Sequence, residues 1–369
     1  MGAMQRVTAE AAAGLPVLTV DLGAIVANWE VLAARARPAE CAAVVKADAY
    51  GLGAAAIAPA LARAGCRTFF VAHLAEGIAL RRVLGGAAGI QVLHGPAPGS
   101  EAAFAAHDLV PVLNSSAQAA GWAAFAREAG RPLPASLHLD TGMARLGVPP
   151  AEVATVAALH RLDVGLVISH LACADEPSHP ANAEQRAAFT VLRGQWPLAR
   201  ASLAASFGIY LGAGYVFDLV RPGAALFGVA PTAPPNPMRA VVRVQAPVLQ
   251  VREVATGTGV GYAHTWRAAA PARLATLGVG YADGLPRSLS NRGAAWLGAL
   301  RLPIVGRVSM DSITVDASAA PEAALAPGTL LDLIGPHCDV DTLAAEAGTT
   351  GYELLTRLGD RFDRRYLPA

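Results

Sequence analysis

The sequence of 369 residues carries 29 basic side chains, and only one of them, Lys46, is a lysine. A guanidinium stays protonated and cannot condense with a carbonyl. A buried amine loses its proton readily and forms a Schiff base. A chain that uses arginine everywhere else and keeps one lysine therefore has a use for an amine at position 46. The residues just before it, Cys41-Ala-Ala-Val-Val, are small or apolar, as in a strand buried on both faces. A charged group at the end of such a strand needs a chemical reason. Asp140, His170 and Ser206 share the setting, each at or near the end of a short apolar run.

Those runs are the elements that must position the chemistry. Strand-like segments are Val17–Asp21, Ala42–Ala47, Thr68–Ala72, Ile90–His94, Val110–Leu113, Ala135–Leu139, Gly165–His170, Ser202–Ala205 and Ala224–Phe227. Alanine-rich amphipathic stretches lie between most of them, among them Ala24–Ala36, Ala54–Ala64, Glu76–Leu84, Ala117–Glu128, Glu152–His160 and Asn182–Leu192. Such alternation predicts an α/β fold, a (β/α)8 TIM-type barrel, with chemistry at the C-terminal strand ends. A doubly wound sheet is the alternative, but no G-x-G-x-x-G opens a helix after the first strand. Thr232–Met238, with three prolines in seven residues, reads as a linker. After it Val241–Val254 alternates apolar and polar, and further short runs are punctuated by Gly and Pro. That pattern predicts a C-terminal mostly-β domain. The expected division is a loose tail over 1–14, a barrel domain over 15–238 and a β-rich domain over 239–369.

Composition removes several classes of function. Asp+Glu number 28, leaving a formal net charge of +1 and no electrostatic footprint for nucleic acid or an anionic membrane. Apolar residues are 54% and charged ones 15%, which excludes a disordered chain. The charge-free runs are broken by Gly, Pro and polar residues, so none reads as a spanning helix. Cys41, Cys66, Cys173 and Cys338 form no C-x-x-C pair and read as buried thiols in a reducing, cytoplasmic compartment. The nine histidines lack the clustered spacing of a metal site.

Five segments follow one another along the chain. They are Val44-Val-Lys-Ala-Asp-Ala-Tyr-Gly-Leu-Gly53, His138-Leu-Asp-Thr-Gly-Met-Ala-Arg-Leu-Gly147, Arg221-Pro-Gly223 with Gly228, Gly259-Val-Gly-Tyr262, and Gly278–Gly284 followed by Gly306–Asp311. In this order they closely resemble alanine racemases, pyridoxal 5'-phosphate (PLP) enzymes of the barrel-plus-β-domain type, from about Val17 to Tyr366. The resemblance implies that Lys46 holds PLP as an aldimine. Tyr50, Ser206, Tyr366 and the backbone amides of Gly223 and Ala224 would then take the phosphate. Arg221 would face the pyridine nitrogen. A guanidinium does not readily give up a proton, so the ring would be a weak electron sink suited to simple proton exchange. Lys46 and Tyr262 would be the two bases, one on each face of the substrate carbon, with Tyr262 reaching the site from a partner subunit of a homodimer. A phenol ordinarily titrates near ~10 and needs nearby cations or donors to act at neutral pH. His170 and Arg221 resemble that network. Arg145 and the backbone at Met310 resemble the groups that hold the substrate carboxylate. Tyr281, Asp175, Arg287 and Arg307 resemble the channel leading to the site. The implied function is interconversion of L- and D-alanine, supplying D-alanine for peptidoglycan.

This chain also departs from the family pattern. Many members carry a carbamylated lysine two residues before the D-T-G-M aspartate, and here that position is His138. The orientation of Arg145 would then come from His138 itself or from a bound anion. Ala205 stands where an asparagine is usual, and Asp48 and Leu52 replace the commoner Asn and His. Four other readings stay open on residues alone. They are a broad-specificity racemase, a decarboxylase of this architecture, a Schiff-base aldolase and a non-catalytic PLP-binding protein. An arginine at 221 in place of a carboxylate argues against the decarboxylase. The long segment after the linker argues against the last two.

Overall fold

The computed structural model describes residues 14–369, so the expected tail lies outside the described residues except for Gly14. Contacts divide the chain into two units, residues 24–239 and residues 14–23 with 240–369. The first strand, β1 (Val17–Asp21), belongs to the second of these. It was expected as a barrel strand. Its apolar alternation suits either setting, and its pairing partners decide the matter: it runs antiparallel to Val242–Gln245 and parallel to Asp363–Leu367.

In the unit spanning 24–239, β2 (Glu40–Cys41) leads into β3 (Ala43–Val44). From β3 a parallel sheet runs in sequence order through β4 (Thr68–Val71), β5 (Gly89–Val92), β6 (Val110–Leu113), β7 (Leu133–His138), β8 (Leu162–Ile168) and β9 (Arg200–Ser202). The last stave, β10 (Leu219–Val220), pairs with β2. It also joins the β9 side through Asp218 N–H to Ala201 O (2.9 Å) and Arg221 N–H to Ala204 O (2.9 Å), which closes the ring. Ala42, Val44, Phe70, Val112, Leu166, Ile168 and Leu219 fill its core. The expected strand Ala224–Phe227 is instead a 3-10 turn. Its apolar run is buried by a tight bend, because Ser206 Oγ accepts the amides of both Gly223 and Ala225 and folds the backbone over.

The outer helices follow from apolar spacing and caps. Ser116–Glu128 starts where Ser115 Oγ accepts the Gln118 amide (3.2 Å), and it buries Ala119, Trp122, Ala123 and Ala126 on one stripe. Gly130, at φ 71°, lies just beyond its end. Among the described residues, no helix is long and apolar enough to cross a membrane.

In the other unit a long strand, β11 (Val242–Val254), organises the sheet. It is followed by a two-stranded ladder of β12 (Gly259–Val260) with β13 (Trp266–Arg267), and by β14 (Ala272–Leu277) paired antiparallel to β11. Then come β15 (Ala294–Leu297), β16 (Leu300–Pro303), β17 (Ile313–Asp316), β18 (Leu330–Ile334) and β19 (Asp363–Leu367). One path of this sheet reads β16, β15, β18, β11, β1, β19. The helix Val340–Ala347 is capped by Asp339 Oδ1 on the Thr342 amide (2.8 Å) and stopped at Gly348. It buries Val340, Leu343, Ala344 and Ala347.

Candidate active site

Parallel staves put the residue after each strand at one mouth of the ring. Lys46 follows β3, Asp140 follows β7, His170 follows β8, Ser206 follows β9, and Arg221 to Ala224 follow β10. Lys46 opens a turn of unusual hand. Ala47, Asp48, Ala49 and Tyr50 have φ of 52°, 52°, 54° and 57°, and none is a glycine. Left-handed backbone costs an L-residue roughly 1–2 kcal/mol, so a run of four must be held by its surroundings. Asp48 Oδ1 accepts the Ala54 amide (2.7 Å), and the Gly51 amide closes back on Ala47 O (2.7 Å). Glu76 Oε1 accepts the Ala47 amide (2.8 Å). The turn leaves Lys46 half-buried. Burial, and then the nearby Arg145, lower its pKa, while Glu76 pulls it back up.

Arg221 is the structural surprise of the site. It is 4% exposed, and its guanidinium donates only to neutral oxygens: Ser202 O (2.8 Å), Ser202 Oγ (2.5 Å) and Ser169 O (2.5 Å). Burial alone brings its pKa down to about 10. A buried cation without a carboxylate is costly unless the site also offers it an acceptor or an anion. Sequence reasoning found Arg221 but not the two serines that hold it, since carbonyl acceptors leave no signature in residue type.

Beside it, Ser206 Oγ accepts the amides of Gly223 (3.0 Å) and Ala225 (3.1 Å). The Tyr50 ring lies 4.9 Å from Phe227, and its hydroxyl comes so close to Gly223 that a Cβ there would collide with Oη. Tyr50, Ser206 and Gly223 thus wall a small polar cradle that only glycine permits. One barrel mouth therefore combines an amine, a buried cation with neutral acceptors only and a polar cradle of Tyr50, Ser206 and Gly223. Those are the groups a phosphorylated carbonyl cofactor requires.

His138 and His170 are both held neutral. Asn114 spends both amide hydrogens on Leu93 O and Val112 O (2.8 Å each), so its Oδ1 accepts from His138 Nδ1–H (2.8 Å). Burial, then Arg221 and Arg145, push His138 down to about 4 and His170 to about 3. Unfolded histidine titrates near ~6.5, so below that pH the unfolded chain binds protons that the folded chain refuses. Stability is full above that value and falls as pH drops toward 4. The expected loss is on the order of a few kcal/mol by pH 4. Urea unfolding across pH 7 to 4 measures it, and His138→Gln should flatten the slope. An equally steep slope in that variant would remove His138 from the account.

Asp140 shapes the loop that carries Arg145. Burial raises its pKa, but the amides of Gly142, Met143 and Ala144 all donate to its Oδ1 at 3.0–3.2 Å, and the net shift is downward. Arg145 itself is exposed, and no hydrogen bond joins it to His138 or to any other described residue. Three of the four cysteines are buried as expected, while Cys173 is half-buried. Burial pushes Cys66 up to about 12, so it is an inert thiol.

The remaining expected residues lie in the other unit. Tyr262 follows β12 and is 70% exposed. Gly261 before it and Ala263 after it both have positive φ, which turns the loop outward. Tyr262 and Tyr281 line one cleft of about 730 Å³ with Pro286, Val308 and Ser309. Met310 is exposed, and its carbonyl accepts the Ala282 amide (3.0 Å). A Cβ at Gly280 would collide with that same carbonyl, so the two loops touch through glycine. Arg287 and Arg307 line a neighbouring cleft with Ser288 and Ser290. Tyr366 lies on β19 opposite Val20 of β1.

Comparison with known proteins covers both units. Residues 20–231 match the family "Alanine racemase, N-terminal domain" and residues 241–366 match "Alanine racemase, C-terminal domain". The catabolic alanine racemase of Mesorhizobium japonicum is 54% identical over 97% of this chain and 94% of its own length. The alanine racemase of Acidiphilium cryptum is 53% identical over 95% of this chain and 98% of its own. The crystal structure of alanine racemase from Bartonella henselae, with covalently bound pyridoxal phosphate, superposes with a TM-score of 0.92 at 42% identity. It covers 96% of this chain and 99% of that one. This chain belongs to the alanine racemase family.

Proposed function

We propose that this chain interconverts L- and D-alanine with PLP bound covalently to Lys46, by proton exchange between two bases. The observation that carries the reading is the barrel mouth in which the sole lysine shares one rim with a buried, carboxylate-free Arg221 and the Tyr50–Ser206–Gly223 cradle. The cradle and the Ala224 amide that opens the 3-10 turn would hold the phosphate. PLP, where bound, would supply the electron-withdrawing group that makes the α-proton of the amino acid removable. Lys46, set free when the amine of the amino acid takes its place on the cofactor carbonyl and with its pKa lowered by burial, would move that proton on one face. Tyr262, exposed on its loop, moves it on the other, which fits a homodimer in which Tyr262 of the partner subunit completes each site. Arg221 offers a donor that does not release its proton, and its charge, after burial, helps to hold His170 neutral. Arg145, exposed on its loop, would take the carboxylate of alanine. The four free thiols support a cytoplasmic setting. There D-alanine serves peptidoglycan. The name of the Mesorhizobium relative, a catabolic alanine racemase, favours a second, catabolic use of the same reaction.

The test is optical. Purified protein with PLP receives L-alanine and L-serine in separate cuvettes, and circular dichroism is followed. Much faster loss of signal with alanine is the expected result. Equal loss with both amino acids would replace it with a broad-specificity racemase. A bound yellow cofactor with no loss at all would overturn racemisation.

A further inference from the structure

One carboxylate outside the residues assigned so far acts directly on the Lys46 turn. Glu76 sits at the start of the helix Leu74–Leu84, after β4. Its Oε2 accepts the amides of Ala72 (2.7 Å) and His73 (3.1 Å), as a helix-capping glutamate does. Its Oε1 does something capping does not need: it accepts the Ala47 amide across 29 residues of sequence, at 2.8 Å. Ala47 is the residue next to Lys46 and the first of the four left-handed residues. Three amides from two neighbouring strand ends thus converge on one carboxylate. The charged and titratable groups acting on Lys46 include Arg145, His94 and His170, and Glu76 brings the negative charge.

We propose that Glu76 is a positioning residue for the racemase reaction, pinning the peptide after Lys46 so that the amine leaves the strand in the working direction. The assignment rests on the function proposed above. A glutamine has one acceptor oxygen and cannot serve both the Ala47 amide and the helix cap. An aspartate keeps the charge but loses reach. Both substitutions leave the PLP cradle untouched.

The experiment compares holoenzyme carrying Glu76→Gln or Glu76→Asp with wild type. A remote cap deletion, Asp339→Ala, serves as a control for simple destabilisation. Glu76→Gln is expected to lower kcat about 10²-fold with little change in KM, as a small misplacement of a reacting group does. It should also shift the pH at which the bound cofactor's visible band changes to a lower value. Glu76→Asp should restore the position of that pH transition but not the rate. Thermal melting of both should fall no further than that of Asp339→Ala. Wild-type kcat and an unmoved band in Glu76→Gln would overturn the assignment, and so would a rate loss that Asp339→Ala reproduces. If Glu76→Gln does not fold, full activity in Glu76→Asp overturns it instead. A wild-type protein that binds no PLP would fail the proposed function, whereas an active wild type with an indifferent Glu76→Gln fails only this step.

Discussion

Lys46→Arg is expected to abolish racemisation, by at least ~10⁴-fold, while the protein still folds. The substitution keeps the charge and nearly the length of the stem, and this chain accommodates arginine at every other basic position. What it removes is the only side-chain amine. A guanidinium neither forms a bond to the cofactor carbonyl nor takes a proton near neutral pH. The check uses that uniqueness. Borohydride reduction of the PLP-loaded wild type should add the mass of one reduced cofactor, on the Lys46 peptide. The variant should gain none there. Stable cofactor mass elsewhere on the variant, together with retained turnover, would refute the role of Lys46.

The second large effect is expected at Tyr262. Tyr262→Phe deletes one hydroxyl from a side chain that is 70% exposed. Stability should therefore stay within about 0.5 kcal/mol of wild type. Turnover should fall ~10²–10⁴-fold, the usual contribution of one acid–base group, with the cofactor spectrum unchanged. A finer signature separates loss of one base from general damage. In deuterated water, one alanine enantiomer should still exchange its α-proton and keep its configuration, because Lys46 continues to work on its own face. Inversion at the wild-type rate would remove Tyr262 from the mechanism. Loss of exchange from both enantiomers would mark a structural role.

Much of this arrangement is legible in residue types. The strands of the ring occur close to their apolar runs, and the residues at the strand ends include the lone amine. The misses share a cause. Val17–Asp21 has the composition of a barrel strand, and only pairing with residues more than 200 positions away assigns it elsewhere. Ala224–Phe227 is apolar enough for a strand, but one serine hydroxyl bends it into a turn. The left-handed turn after Lys46 has no glycine at its four positions, so propensity gives no warning of it. Glu76 reads as an ordinary helix-starting acid until the fold brings Ala47 within reach. In each case a non-local contact overrides a local preference.

The placement of β1 also bears on how the chain is made. Val17 pairs with Gln245 on one side and with Asp363 on the other. During synthesis this strand emerges more than 200 residues ahead of its first partner and more than 300 ahead of its second. The ring of parallel staves, contained between residues 24 and 239, has its own hydrogen-bonded closure and does not wait. The polypeptide thus carries an unsatisfied apolar strand until both partners have been made. Such a strand is a template for wrong pairing while it waits, and its non-local closure is slow. The vulnerable stage in the life of this molecule is therefore its birth, and chaperone demand should track β1 more closely than the barrel.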